Sequence, residues 1–120
     1  MNFQNYLHIS REISLDFIQV NCLEQRDLNI LEVIFLNSFP PKNHIIVNDL
    51  IGIEYLGSRA TIHRGLYRLR ESGIVDFFHK AGSYRTKYLR PTKKALNYYS
   101  MLEQIMLSKK FNLSAACVNT

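Results

Sequence analysis

The 120-residue sequence contains no tryptophan, two cysteines, three prolines and five glycines. Cys22 and Cys117 lie far apart, and neither belongs to a CxxC motif or has histidines at metal-ligand spacing. These absences argue against a disulfide framework and against a zinc site. We therefore expect no metal and no other cofactor.

Long apolar runs are absent as well. Residues 33–36 form as long an apolar run as any, whereas a membrane-spanning helix needs about 18 or more such residues. The first ten residues lack the basic start and the apolar stretch of a signal peptide. The sequence thus predicts a cytoplasmic protein without a membrane-spanning segment.

No motif typical of an enzyme is present. The sequence lacks a Gly-rich phosphate loop, a His-Glu-x-x-His pair and the local context of a Ser-His-Asp triad. The four histidines, His8, His44, His63 and His79, occur singly. We therefore expect a binding protein rather than an enzyme.

The composition favours one folded domain that covers residues 1–120. Apolar residues make up 47% of the chain and charged residues 21%, which is sufficient for a hydrophobic core. The net charge of +5 is unevenly distributed: residues 58–94 contain ten Lys or Arg and two acidic residues, and the remainder contains five and eight. Such a basic segment indicates a surface for a polyanion, with nucleic acid the first candidate and an anionic membrane surface the second.

Amphipathic helices are predicted at both ends of the chain. Ile9, Ile13, Phe17 and Val20 recur at spacings of four, four and three, which predicts a helix over about residues 10–24. A C-terminal helix over residues 92–108, opened by Pro91-Thr92, has more apolar positions than packing on one small domain requires. We therefore expect these two helices to form a homodimer interface, and the candidate contacts are Ile13, Phe17, Tyr98, Leu102 and Ile105.

Between the two terminal helices, residues 28–91 are predicted to form helices that alternate with short strands. Asp27 is a suitable N-cap for a helix that ends before Pro40, and residues 45–47 form a β-branched run that is typical of a small strand. Asn48 is a suitable cap for a further helix that continues through Tyr55. Gly57-Ser58 then separates this helix from the next one.

The clearest pattern begins at Ser58, the predicted N-cap of a helix with a buried stripe of Ile62, Leu66 and Leu69. The helix ends at Ser72-Gly73 and is followed by two aromatic and β-branched runs, 74–79 and 84–89, which flank a loop that contains Gly82. The predicted fold is mainly α with a small β-hairpin. The order of elements is that of a winged helix-turn-helix, flanked here by N- and C-terminal dimerisation helices.

Three stretches resemble the MarR family of bacterial regulators. They are Val47-Asn-Asp-Leu, Gly57-Ser-Arg-Ala-Thr-Ile-His-Arg-Gly-Leu-Tyr-Arg-Leu-Arg-Glu-Ser-Gly-Ile-Val75 and Leu89-Arg-Pro-Thr-Lys-Lys-Ala95. The resemblance covers about residues 28–107. It implies a dimer made by the terminal helices, with one recognition helix and one wing per subunit.

The face of the predicted recognition helix opposite its buried stripe holds residue types that contact DNA. Arginine pairs with guanine, threonine contacts phosphate or the thymine methyl group, and a small residue permits close approach. On the hairpin, basic residues around Gly82 are suited to phosphate or to a narrow minor groove. The candidate DNA contacts are Ser58, Arg59, Ala60, Thr61, His63, Arg64, Tyr67, Arg68, Lys80, Ser83, Arg85 and Lys87.

The resulting hypothesis is a homodimeric transcriptional regulator that binds specific double-stranded DNA, with a small-molecule effector left open and no membrane partner. Two alternatives remain. The first is a DNA-binding protein of plasmid or phage partition or replication initiation, for which tandem sites and cooperative spreading would be typical. The second is a winged-helix module for protein interaction, whose binding would not weaken steeply with salt.

Overall fold

A computed structural model of the chain describes residues 3–40, 43–82 and 84–119, and for residues 108–119 it describes the backbone alone. Helices dominate, and three short strands form one sheet. A one-turn 3-10 helix, Glu54–Leu56, follows the third helix. In chain order the other elements are α1 Phe3–Val20, α2 Gln25–Leu36, β1 Ile45–Ile46, α3 Val47–Leu50, α4 Arg59–Glu71, β2 Val75–Phe78, β3 Tyr88–Pro91 and α5 Lys93–Asn119.

The sheet is antiparallel, with the strand order β1-β3-β2. Leu89 pairs with Ile45 on one side and with Phe77 on the other, so the central strand joins β2 to β1, which precedes β3 by about 40 residues in the chain. The sheet packs with α2 and α4 around a core whose fully buried side chains include Ile30 and Ile34. The element order is therefore the predicted winged helix-turn-helix: α3, the 3-10 turn and α4, followed by the β2–β3 wing.

Both of the first two helices begin earlier than predicted. α1 starts at Phe3 rather than at residue 10, and its first turns leave Phe3 and Leu7 about half exposed. α2 starts at Gln25, and Asp27 is its third residue rather than its N-cap. The Asp27 carboxylate accepts a hydrogen bond from the Glu24 N–H, and that contact places the cap three residues upstream.

The predicted helix from Asn48 through Tyr55 is wrong in its cap and in its length, because Ile46 is the N-cap and Asn48 lies inside the helix. α3 ends at Leu50, because Gly52 has a φ of +109°, which no helical residue adopts. Val47 is the first residue of α3 and does not belong to β1. The short α3 therefore turns early into the 3-10 helix that leads to α4.

The hairpin is shorter than predicted on its second strand. β3 begins at Tyr88, and residues 79–87, here called the wing loop, join it to β2. Pro91 ends β3 instead of opening the last helix: it lies opposite Val75 of β2, whereas the β1 pairing stops at Leu89. A proline is tolerated there because it lies at the end of a strand.

Candidate nucleic-acid interface

The buried face of α4 is as predicted. Ile62, Leu66 and Leu69 are buried, and each such side chain contributes about 1.5 to 3 kcal/mol when it leaves water. Ser58 is the N-cap, as expected: its Oγ accepts a hydrogen bond from the Thr61 N–H at 3.2 Å. Burial and capping thus determine where the helix starts and which face it turns outward.

The C-terminal end of α4 is also fixed. Gly73 has a φ of +72°, its N–H bonds to the Arg70 carbonyl, and the Ile74 N–H bonds to the Leu69 carbonyl. This pair of hydrogen bonds is a Schellman motif, in which glycine supplies the left-handed residue. The predicted terminator at Ser72-Gly73 is confirmed.

Ser72 links this end of α4 to the two terminal helices. Its Oγ donates to the carbonyl of Asn21, just after α1, and the Lys94 ammonium, in the first turn of α5, donates to the Ser72 carbonyl, both at 2.9 Å. A cation is favourable at a helix C-terminus because it opposes the helix dipole. α4 is therefore held at both ends as well as along its buried face.

The outward face of α4 carries most of the predicted recognition residues. Ala60, His63, Arg64 and Tyr67 are exposed, and so is Arg59 in the first turn. Neither arginine forms an ion pair with any residue that the structure describes. This surface therefore presents two arginines that no described acidic residue neutralises, on a rigid helix.

Two of the predicted DNA contacts on α4 are engaged inside the chain. Thr61 is buried, and its hydroxyl lies 3.0 Å from the Ser58 Oγ, because it is the first residue after the cap that faces inward. Arg68 contacts the buried carboxylate of Asp27 through Nε at 2.7 Å and through Nη2 at 2.8 Å. Hydrogen bonding to Asp27 raises the pKa of the Arg68 guanidinium.

The wing loop presents Arg85 and Lys87 to solvent, and neither forms an ion pair within the described part of the chain. Lys80, in contrast, is engaged: its ammonium donates to the Asn43 carbonyl at 2.9 Å and lies 4.3 Å from the centre of the Tyr88 ring. The structure therefore places this predicted DNA contact in a tether at the base of the wing. Ser83 lies outside the described residues.

Sequence reasoning missed a cleft of about 350 Å³ between the wing loop and the start of α3. Arg85, Thr86 and Lys87 line one side, and the other side includes Asn48, for which only a capping role was predicted. No local signal could have revealed this cleft, because the pairing of β1 with β3 brings together segments about 40 residues apart. The two wing cations therefore lie next to the first helix of the helix-turn-helix.

The predicted dimer contacts are divided between the interior and the surface of the chain. Phe17 stacks on Tyr98 with ring centroids 4.1 Å apart, and the Tyr98 hydroxyl lies 2.8 Å from the Ser14 Oγ. Burial raises the pKa of Tyr98. Tyr98 is therefore an internal contact between α5 and α1, since these two helices pack on each other within one chain.

Ile13, Leu102 and Ile105 are half-buried. Ile13 lines a cavity of about 250 Å³ between α1 and α5, and Leu102 lines a second one, of about 290 Å³, between α1, α2 and α5. Other large apolar side chains, which the sequence analysis did not select, are about half exposed on the same two helices. They are Phe3, Leu7, Leu15, Leu96, Met101, Met106 and Leu107.

Over the described ranges, no helix combines the length and the apolar character needed to cross a membrane. The same ranges contain no group of three or more His, Cys, Asp or Glu side chains arranged to hold a metal ion.

Solved structures have the same fold. A crystal structure of the S. aureus MepR–DNA complex is similar with a TM-score of 0.64 at 12% identity, and the match covers 98% of this chain and 93% of that chain. A substituted S. aureus MepR bound to an oligodeoxyribonucleotide is similar with a TM-score of 0.62 at 12% identity, covering 94% and 79%. No protein-family model and no curated protein matches the sequence. MepR is a MarR-family winged-helix regulator, so the fold that the sequence resemblance implied is confirmed.

Proposed function

We propose that the chain is a sequence-specific, double-stranded DNA-binding transcriptional regulator, not an enzyme, that acts in the cytoplasm as a homodimer. α4 enters the major groove with Ala60, Arg64 and Tyr67 toward the base edges, and the wing loop contacts the backbone or the minor groove through Arg85 and Lys87. Ser58, Arg59 and His63 flank the reading surface at the start of the helix.

The observation that carries this proposal is the outward face of α4. Arg59 and Arg64 lack described acidic partners there, whereas Arg68, at the half-buried edge of this face one turn after Arg64, is neutralised by Asp27. A face that is merely solvated would gain from local ion pairs, but a face that binds phosphate and guanine needs free cations. The wing cations beside α3 extend the same charge.

The two MepR structures support the proposal from outside the chain, because both contain DNA bound to a protein of this fold. The winged helix also serves purposes other than transcription, so the proposal rests on the residues of this chain as well as on the fold. Neither the partition alternative nor the protein-interaction alternative is favoured by a specific contact.

The homodimer is proposed from α1 and α5. Their exposed side chains include Leu7, Met101 and Met106, and an apolar surface of this kind is typical of an interface between subunits. Leu102 and Ile105 lie on α5, and we place them at the edge of this interface. Light scattering at tens of micromolar should show a dimer, and a monomer at that concentration would contradict the proposal.

The direct test of DNA binding is selection from a random duplex library by the purified protein. We expect enrichment of an inverted repeat whose half-site centres lie about 10 base pairs apart, since a two-fold dimer presents its two α4 helices to successive major grooves. Affinity should fall steeply with salt because phosphates are neutralised. No enrichment together with salt-insensitive protein binding would favour the interaction module. Tandem sites with cooperative spreading would favour partition or replication initiation.

The phase of the two half-sites provides a second test. Inserting about five base pairs rotates one half-site by half a turn, and joint binding by a rigid dimer should be lost. Inserting a full turn returns both half-sites to the same side of the duplex, but it separates them by more than a rigid dimer can span. Footprints that are indifferent to the half-turn insertion would show that the subunits bind independently.

A further inference from the structure

Asp27 combines complete burial with three hydrogen bonds. Its side chain is 0% exposed, and its carboxylate accepts from the Glu24 N–H at 2.9 Å and from Nε and Nη2 of Arg68 at 2.7 and 2.8 Å. A buried ion pair is weak evidence for stability, because well-packed apolar residues of similar volume often serve as well or better. Its geometry, in contrast, is demanding, since a guanidinium that bonds through two nitrogens accepts a carboxylate in one plane.

The ion pair lies beside a close approach of α4 to α2 at Gly65. A methyl group on Gly65 would lie 2.6 Å from Ile30 Cδ1 and 2.8 Å from Asp27 Oδ1. Arg68 follows Gly65 by three residues on the same face of α4, so the close approach and the ion pair act on one stretch of helix. Together they leave α4 little freedom to rotate on α2.

Rotation matters because Arg64 and Tyr67 lie on the exposed side of α4, and Arg64 precedes Arg68 by one helical turn. With side chains the helix has a radius of about 5 to 6 Å, so a rotation of about 20° moves an outer side chain by roughly 2 Å. That displacement exceeds what a hydrogen bond to a base edge tolerates. A rotation that the Asp27 contact permits is therefore transmitted in full to the reading face.

We infer that Asp27 is a positioning residue for sequence recognition, which acts on DNA only through Arg68 by fixing the rotation of α4. The inference rests on the proposed function. For an uncharged substitution of Asp27, the inference predicts a change in DNA affinity that is opposite to the change expected from charge alone. Removing the negative charge of Asp27 would tighten binding to any duplex by electrostatics, whereas loss of positioning weakens binding to the selected sequence.

The test compares Asp27→Asn with Glu24→Gln. Both variants raise the net charge by one unit and both remove an acidic partner of Arg68, but the Glu24 side chain is 59% exposed and lies 3.4 Å from Nη2. For each protein, the affinity for the selected site is divided by the affinity for a scrambled duplex of the same composition. We expect Asp27→Asn to lower this ratio by about tenfold, the effect of one lost base contact, and Glu24→Gln to leave it within about twofold. A wild-type ratio in Asp27→Asn would overturn the inference.

Loss of folding is separated from loss of positioning by the double variant Asp27→Leu/Arg68→Met, in which apolar side chains replace the buried pair. This protein should show a cooperative melting transition and still have the lowered ratio. A folded double variant with the wild-type ratio would contradict positioning.

A measurement without DNA distinguishes failure of this inference from failure of the proposed function. In the NMR spectrum of the free protein, the backbone amide chemical shifts of Ala60, Arg64 and Tyr67 should change in Asp27→Asn but not in Glu24→Gln. If the wild-type protein selects no sequence, the proposed function fails while the amide shifts still decide whether Asp27 fixes α4. Amide chemical shifts in Asp27→Asn that equal those of the wild-type protein would contradict the positioning role.

Discussion

α4 and the wing loop both present cations to solvent, yet the chain holds them very differently. α4 is fixed by the Ser58 cap, by the Asp27 contact with Arg68 and by the Schellman motif around Gly73. Among the described residues of the wing loop, the contacts are a hydrogen bond between His79 Nδ1 and the Thr86 carbonyl and the tether formed by Lys80. The difference is one of rigidity rather than of charge.

This difference agrees with the two tasks proposed for the regions. Reading base edges requires donors held in place, because a bidentate contact tolerates little displacement. Binding phosphate requires a cation near a continuous backbone, and a mobile side chain is sufficient. The following predictions test whether rigidity and task are divided in this way.

The largest contrast concerns stability. Leu69→Ala, on the buried face of α4, should lower the free energy of unfolding by about 2 to 5 kcal/mol, because it removes a fully buried side chain and leaves a cavity. Tyr84→Ala, in the wing loop, removes a side chain that is 82% exposed and should change it by less than about 0.5 kcal/mol. Urea denaturation measures both, and equal losses would show that the wing loop belongs to the core.

The cap of α4 should have an intermediate effect. Ser58→Ala removes the oxygen that accepts from the Thr61 N–H and should cost about 0.5 to 2 kcal/mol of stability. Ser100→Ala, at an exposed position in α5, is the matched control and should be nearly neutral. Thermal melts of the two variants compare them, and a neutral Ser58→Ala would mean that the cap does not fix α4.

The smallest expected loss of stability concerns the contact between the terminal helices α1 and α5. Tyr98→Phe removes the hydrogen bond to Ser14 and should cost about 0.5 to 1.5 kcal/mol at neutral pH. Burial raises the pKa of Tyr98, so the folded state resists ionisation. The stability that this resistance contributes is complete below the unfolded pKa of about 10 and is lost as pH rises above it. Stability measured from pH 8 to 11 should therefore fall less steeply in Tyr98→Phe, and identical slopes would contradict this account.

Local periodicity was sufficient to predict α4, but it did not predict the contact between Asp27 and Arg68 that holds α4 against α2. The Ile62 and Leu66 spacing and the Ser58 cap depend on residues within one helix, so the sequence shows them directly. The role of Asp27 depends on Arg68, 41 residues away, and a carboxylate near a helix start indicates a cap equally well. Sequence reasoning therefore placed Arg68 on the DNA and Asp27 at the N-cap. The Arg68 contact with Asp27 is tertiary, whereas the difference at the cap follows from the local hydrogen bond between the Glu24 N–H and the Asp27 carboxylate.

The wing and the terminal helices show the same limit. Composition predicted a hairpin around Gly82, but the start of β3 at Tyr88 is set by pairing with Phe78 and Ile46, which lie in other segments. Periodicity placed Tyr98 on an apolar face of the last helix without showing that α1 of the same chain covers it. Faces are predictable from sequence, whereas the partners of those faces depend on long-range packing.

The most direct test of a rigid reader and an adaptable wing compares Arg64→Ala with Lys87→Ala. Each variant is measured on the selected site and on a panel of single-base changes, at several salt concentrations. Arg64→Ala should cost about 1 to 3 kcal/mol per half-site and lose discrimination at one base position. Lys87→Ala should weaken binding to all sequences alike and reduce the salt slope by about one. If both variants merely scale the affinity equally across the panel, the division between reader and wing is contradicted.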